Sequence, residues 1–133
     1  ARHSATLLRD GDVLVAGGTN PRTGEQEATA ELYLPERNAW VRASGMAQAR
    51  SLHTATLMRD GTLLVVGGYR LGAGFLASAE RYNPTADRWT AAASLTPALS
   101  VDAATLLRDG RALVVGSEHS DGEQSTLAEV FRD

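Results

Sequence analysis

The chain repeats one motif three times. Residues His3–Gly18 read HSATLLRDGDVLVAGG and His53–Gly68 read HTATLMRDGTLLVVGG, identical at 11 of 16 positions. Asp102–Ser117 reads DAATLLRDGRALVVGS and shares 10 of 16 with the first copy. A second block keeps step: Ala30-Glu31-Leu32-Tyr33, Ala79-Glu80-Arg81-Tyr82 and Ala128-Glu129-Val130-Phe131. Pro35 and Trp40 match Pro84 and Trp89, and the spacing is 49 to 50 residues throughout. A period of this length marks stacked supersecondary units that bury their apolar faces only against one another. The units run over about 1–48, 49–98 and 99–133, within a single partial domain.

Each unit reads as strands. Thr6-Leu7-Leu8 and Val13-Leu14-Val15-Ala16 flank Arg9-Asp10-Gly11-Asp12, a short hairpin turn with glycine where φ must be positive. Leu63-Leu64-Val65-Val66 is continuously apolar, which predicts a strand covered on both faces. So short a run ending in Gly67-Gly68 argues against a helix. The Ala-Glu-x-Tyr block supplies a third strand. In the second unit the turn Asn83-Pro84-Thr85-Ala86-Asp87 follows it, with proline presetting φ. A fourth strand centres on Trp89. The expected unit is a four-stranded antiparallel meander, strands a to d.

A repeat of about 50 residues with Gly-Gly, then Tyr, then Trp resembles the Kelch repeat. The match rests on Gly17, Gly18, Tyr33 and Trp40, and on His53, Gly67, Gly68, Tyr82 and Trp89 with Arg50 ahead of them. The resemblance implies an all-β, Kelch-type β-propeller segment: two full blades and three strands of a third. The third copy departs from the pattern with Asp102 for His, Ser117 for the second Gly and Phe131 for Tyr, and Asp133 precedes any fourth strand. Propellers protect their strand edges by closing a ring of 4–8 blades. Three units would form an open wedge with two apolar faces and an unpaired edge. Two expectations follow: the remaining blades belong to a longer chain, or copies associate.

Composition excludes more than it assigns. The net charge is −3 and the 13 cationic residues, all Arg, are spread along the chain, so no basic field favours nucleic acid or an anionic membrane. With no Cys, there is no disulfide, thiolate metal site or cysteine nucleophile. No apolar run approaches the roughly 18 residues of a membrane span, and no targeting segment is visible. The compartment stays open.

Candidate chemistry is sparse. His3 and His53 are repeat equivalents that could converge on a metal, but Asp102 replaces them in the third copy and no ligand cluster accompanies them. Packing at the start of strand a is the expected role. Trp40, Trp89, Tyr33 and Tyr82 recur once per unit and are read as packing between blades, not stacking platforms. Glu31, Glu80 and Glu129 should make one recurrent hydrogen bond or ion pair. Arg50 should be an inter-blade donor. The Gly-Gly pairs lack the Lys-Ser/Thr of a phosphate loop. Ser120-Asp121-Gly122-Glu123 shares only part of the Asp-box turn. No Ser/His/Asp constellation assembles. No metal or cofactor is expected.

Function should therefore lie where the copies differ. In a meander the b–c loops and d–a connections share one face. The a–b turns are nearly identical, whereas the b–c loops Thr19–Thr29, Tyr69–Ser78 and Glu118–Leu127 diverge. Variable loops on a rigid scaffold are the usual place for binding. The candidate contacts are Tyr69, Arg70, Phe75 and Leu76 in the second loop, taken as mobile, with Arg22 in the first and Glu118 and Asp121 in the third. Tyr69–Leu76 concentrates aromatic, apolar and cationic groups as binding hot spots do, though Phe75 and Leu76 could equally tuck against the blade. These features suggest a non-catalytic module for an unidentified protein or glycan partner. The alternatives are a piece of a Kelch-like enzyme (copper oxidase or sialic-acid mutarotase type) whose site lies in other sequence, and a structural spacer. The open wedge predicts that the isolated chain is not a well-behaved monomer; a single monomeric boundary in sedimentation velocity at micromolar concentration would contradict that.

Overall fold

The computed structural model describes the chain except residues 1, 97, 99, 121, 122 and 133 and the side chains of 118–120 and 123–125. The first unit contains β1 (Ser4–Leu7), β2 (Val13–Ala16), β3 (Ala30–Leu34) and β4 (Ala39–Ala43). The second contains β5 (Thr54–Leu57), β6 (Leu63–Val66), the short β7 (Tyr69–Arg70) and β8 (Gly74–Phe75), β9 (Ala79–Asn83) and β10 (Arg88–Ala92). The third contains β11 (Ser100–Leu106), β12 (Ala112–Ser120) and β13 (Glu123–Phe131). The sheets run in the orders β1-β2-β3-β4, β5-β6-β9-β10 and β11-β12-β13, with β7-β8 a separate hairpin. All pairing between these strands is antiparallel. The expected meander is thus present in each unit, and the innermost strands β1, β5 and β11 neighbour one another.

The tight turns follow local chemistry. Gly11, Gly61 and Gly110 each take φ near +90° (93°, 87° and 92°) at the a–b turn. Ahead of each stands an aspartate whose Oδ1 accepts the backbone N–H two residues on: Asp10 from Asp12, Asp60 from Thr62, Asp109 from Arg111. This local bond offers the backbone a turn in place of a continued ladder. At the c–d turns, Asn38 and Asp87 take φ of 46° and 51° and accept the hydroxyls of Tyr33 and Tyr82.

Two apolar layers hold the sheets together. Leu8, Leu14, Ala16, Ala30 and Met46 of the first unit and its linker pack on Leu63, Val65 and Tyr82 of the second. One unit further on, Met58, Leu64, Val66, Ala79 and Leu95 pack on Ala112, Val114 and Phe131. The two layers are the same interface built twice from repeat-equivalent residues. All four residues of β6 are consequently buried, whereas β2 alternates between half-buried and buried. Alternation there reflects a sheet with one covered face, and Val13 and Val15 lie on the other.

The third unit's departures answer one another. In the second unit Gly67 and Gly68 both take positive φ and end β6. A Cβ on Gly68 would lie 2.6 Å from the Ser51 carbonyl oxygen, so the pair lets the linker pass. In the third unit Gly116 and Ser117 instead stay in the ladder, paired with Leu127 and Thr126. β12 therefore runs on, and the expected third loop is corrected to the end of a long hairpin, since Glu118–Ser120 and Glu123–Leu127 are strand. The Ser117 hydroxyl donates to Asp102 Oδ2, joining the two substituted positions.

Position within the stack, more than residue type, sets the energetic weight of each side chain. Leu64 is fully buried, while its equivalent Leu113 is half-buried. Leu64→Ala should cost about 3 kcal/mol and Leu113→Ala about 1 kcal/mol, read as urea midpoints at unchanged m-value.

Candidate functional site

The first two b–c segments and the linker between their units meet at one end of the molecule. Ser51 and Tyr69 exchange both backbone hydrogen bonds, Gly18 N donates to Arg50 O, and Leu71 N donates to Gln26 Oε1. The first loop is braced internally: Thr19 pairs with Gln26, Gly24 N donates to Asn20 O, and Asn20 Oδ1 accepts Arg22 N. Arg22 is exposed near its tip. The expected mobile second loop is in part the β7–β8 hairpin, with the Tyr69 and Phe75 rings edge to face at 5.6 Å. Gly72 and Gly74 supply positive φ in its turn.

The structure sorts the sequence candidates. Phe75 is 40% exposed and Leu71, at the hairpin turn, is 65% exposed. Tyr69 and Arg70 are half-buried. Leu76 is buried, and its N–H is spent on the Gly68 carbonyl, so it supports the hairpin and presents nothing to a partner. Asp121 and the Glu118 side chain lie outside the described residues.

One residue at this end escaped the sequence reading. Leu52 is 46% exposed with φ of 58°, and Arg2, its repeat equivalent, has φ of 64°. Left-handed backbone is uncommon for a branched side chain and costs on the order of 1–2 kcal/mol. Here the linker imposes it: Leu52 N donates to Arg2 O, while the preceding residue pairs with Tyr69. The turn points Leu52 outward beside the hairpin. No glycine marks the place, so only its repeat alignment with Arg2 offered a signal.

Beneath this end lies a polar lock. Arg50 is fully buried. Its guanidinium donates to Gly67 O at 2.7 Å, Ser78 O at 3.0 Å, Ser78 Oγ at 3.1 Å and Glu80 Oε2 at 2.9 Å. Burial pulls the Arg50 pKa down, and the bond and charge of Glu80 oppose that fall. Glu80 also accepts the linker N–H groups of Ala47 and Gln48. Trp89 Nε1 donates to Ser44 O across the same junction, and Ser44 N donates to Asp87. Backbone donation from Ser44, with Tyr82's hydroxyl second, holds the Asp87 carboxyl below its ordinary range. Trp40, the equivalent of Trp89, is 57% exposed because its sheet ends the stack. Glu129 accepts Thr96 N as Glu80 accepts Ala47 N. The repeated residues are therefore devices for seating linkers, and His53 belongs with them: its Nε2 lies 2.8 Å from Ser4 Oγ of the previous unit.

These observations place the chain among known proteins. Residues 50–96 match the family profile described as the Kelch motif. The chain carries a Kelch motif. Its three sheets superpose on a fungal alcohol oxidase of the AA5 family, solved in complex with copper, with a TM-score of 0.81 at 15% sequence identity. The superposition covers 98% of this chain and 30% of that oxidase, so the chain spans under a third of its length. No curated protein matches the sequence. The likeness establishes the fold: an all-β, Kelch-type propeller segment whose sheets do not close. Among its described residues no helix is long and apolar enough to cross a membrane.

The half-buried histidine of this Kelch motif is shifted from its ordinary range. Burial, helped by the charge of Arg50 and by His3, lowers the His53 pKa to about 4. The unfolded chain then takes up the proton first as pH falls. The resulting stability is fully present above about 6.5 and is lost as pH falls towards about 4. Urea midpoints compared near neutral pH and midway through that window should show the loss, and His53→Gln should flatten it.

Proposed function

We propose that this Kelch segment is a non-catalytic recognition module whose linker-and-hairpin end binds a protein partner. The carrying observation is that Leu52, Leu71 and Phe75 are all exposed on segments whose backbone is pinned by Ser51–Tyr69 pairing and the Gln26 bond. Large apolar side chains on a braced surface lose little freedom on binding, which favours affinity. Tyr69 backs Phe75, and Arg70 and Arg22 add cationic groups at the same end. This composition suits an apolar patch ringed by acidic groups on a protein; a glycan that stacks on Phe75 is the other ligand the surface accommodates.

A second reading draws on the oxidase likeness: the chain could be part of a copper enzyme. The residues present do not fit such a site. Among the described residues no group of three His, Cys, Asp or Glu is placed to hold a metal, and the sequence has no Cys. A copper centre would have to be built from sequence outside this chain. Copper content and oxidase activity of a longer parent protein would discriminate the readings.

The recognition reading is tested by titrating candidate proteins and an array of glycans against the chain. Phe75→Ala and Leu71→Ser should each weaken a true ligand by about tenfold or more. Arg37→Ala, at the c–d turn on the opposite end, should leave it unchanged. A ligand indifferent to the first two substitutions would rule out this surface.

A further inference from the structure

We propose that Asp10-Gly11 is a site of spontaneous covalent modification: of the three a–b turns, it is the one at which aspartate isomerises to isoaspartate, and the residue two places after each aspartate decides this. The three turns are controls for one another. Asp10-Gly11, Asp60-Gly61 and Asp109-Gly110 share the sequence Arg-Asp-Gly. Their glycines take φ of 93°, 87° and 92°. Each glycine N–H donates three residues back, to Leu8 O at 3.1 Å, Met58 O at 3.0 Å and Leu107 O at 3.0 Å. Each aspartate Oδ1 accepts the N–H two residues on, at 2.9, 2.9 and 3.0 Å. The fourth Asp-Gly pair, at 121–122, lies outside the described residues.

The reaction needs no second molecule but water. The backbone nitrogen of the glycine attacks Cγ of the aspartate before it, an N–Cγ bond forms, and the carboxyl hydroxyl leaves as water with the amide proton. The cyclic succinimide then takes water back at either of its carbonyls. Opening at the original main-chain carbonyl leaves the chain running through Cγ, an isoaspartate of unchanged mass. It puts one more carbon into the main chain and so displaces the β1–β2 turn. The neutral acid is the reactive form, since a carboxylate has no hydroxyl to lose. The carboxyl must also swing from its place in the turn onto the glycine nitrogen. Hydrogen bonds to the carboxylate oppose both steps, because they favour the charged form and hold its orientation.

The turns differ in the side chain at the second residue after the aspartate, a difference internal to each unit. In the second unit the Thr62 hydroxyl adds a bond to Asp60 Oδ1 at 2.6 Å, and Arg81 Nη1 lies 3.8 Å from Asp60 Oδ2. In the third, Arg111 Nε donates to Asp109 Oδ2 at 2.7 Å. In the first, Asp12 stands there and brings a second carboxylate. Among the described residues no donor bonds Asp10 Oδ2. The titration of these groups agrees with the geometry. Thr62, through its hydroxyl and then its N–H, holds the Asp60 carboxyl below its ordinary range. Arg111, through its N–H and then its side chain, does the same for Asp109. The Asp12 carboxyl is raised instead, by loss of solvent first and then by the charges of Asp10 and Glu36.

The full chain is aged near neutral pH, and its peptides are read by electron-transfer fragmentation, which tells isoaspartate from aspartate at each site despite equal mass. Isoaspartate should accumulate at Asp10 about threefold faster or more than at Asp60 or Asp109, because a bond that favours the carboxylate lowers the neutral fraction by that order. Asp12→Thr, which gives the first turn the hydroxyl of the second, should slow Asp10 to the rate of Asp60. Thr62→Asp and, separately, Arg111→Asp should bring Asp60 and Asp109 towards the rate of Asp10. In concentrated urea, where the turns are lost, the three rates should converge. Three outcomes overturn the proposal: Asp10 is not the fastest of the three sites in the folded chain; Asp12→Thr leaves Asp10, or Thr62→Asp leaves Asp60, unchanged; or the same ranking persists in urea, which would put its cause in local sequence. The ranking in the unsubstituted chain needs no variant, so a substitution that prevents folding does not shield the proposal.

Discussion

The junction between successive blades is the constraint on which the rest of this structure depends. A single four-stranded meander has two faces to cover, and β6 shows what happens when both are covered: four consecutive apolar residues, all buried. The apolar layers at the two junctions use equivalent residues, so the repeat in sequence is a repeat of interfaces. Burial alone would tolerate sliding of one sheet over the next. The polar lock removes that freedom, because Glu80 and Trp89 hold the linker by its own backbone and the linker's Arg50 side chain holds the Gly67 and Ser78 carbonyls and Glu80. A fully buried guanidinium would be costly unpaired, and the linker path gives its two terminal nitrogens four protein bonds, while the buried Nε has no partner.

That lock also positions the candidate binding end. The linker that enters the second unit pairs with Tyr69 through Ser51 and turns Leu52 outward in a left-handed conformation. The hairpin bearing Leu71 and Phe75 grows from the same point. Scaffold and candidate binding surface are therefore continuous: the residues that seat the linker fix the place where the divergent loop residues emerge. His53, Trp89 and Glu80, residue types a search for active sites would select, each make a bond that joins one unit or its linker to the next.

Much of this was legible beforehand. The a–b turns follow from Asp-Gly chemistry within four residues, and the strand order follows from short connections. The recurrent glutamates were readable as hydrogen-bonding residues because the repeat isolates them; Arg50, expected to donate between blades, makes all four of its bonds within 49–98. Other features were hidden for physical reasons. Leu76 and Phe75 are neighbours of similar apolarity, yet one is buried and the other exposed, because successive side chains of an extended segment point to opposite faces. The third b–c segment looked like a loop because its residues are polar; it is strand because Ser117 lacks the positive φ of Gly68 and continues the ladder through Glu118. Its bond to Asp102 joins positions 15 apart that no local pattern connects. Leu52 gave no local sign of its left-handed backbone.

The amino-acid sequence by itself determined the repeating unit, its strands and turns, and the identity of the residues that join one blade to the next. Those are set by short-range backbone preferences and by apolar patterning, which act within a unit or between identical ones. Only the tertiary structure decided which equivalent residues are buried. Leu64 and Leu113 share a position and a side chain, and Trp40 and Trp89 likewise, but burial depends on whether a neighbouring blade stands on that side. The positions the three units share are therefore alike in the chain and graded in burial in the fold.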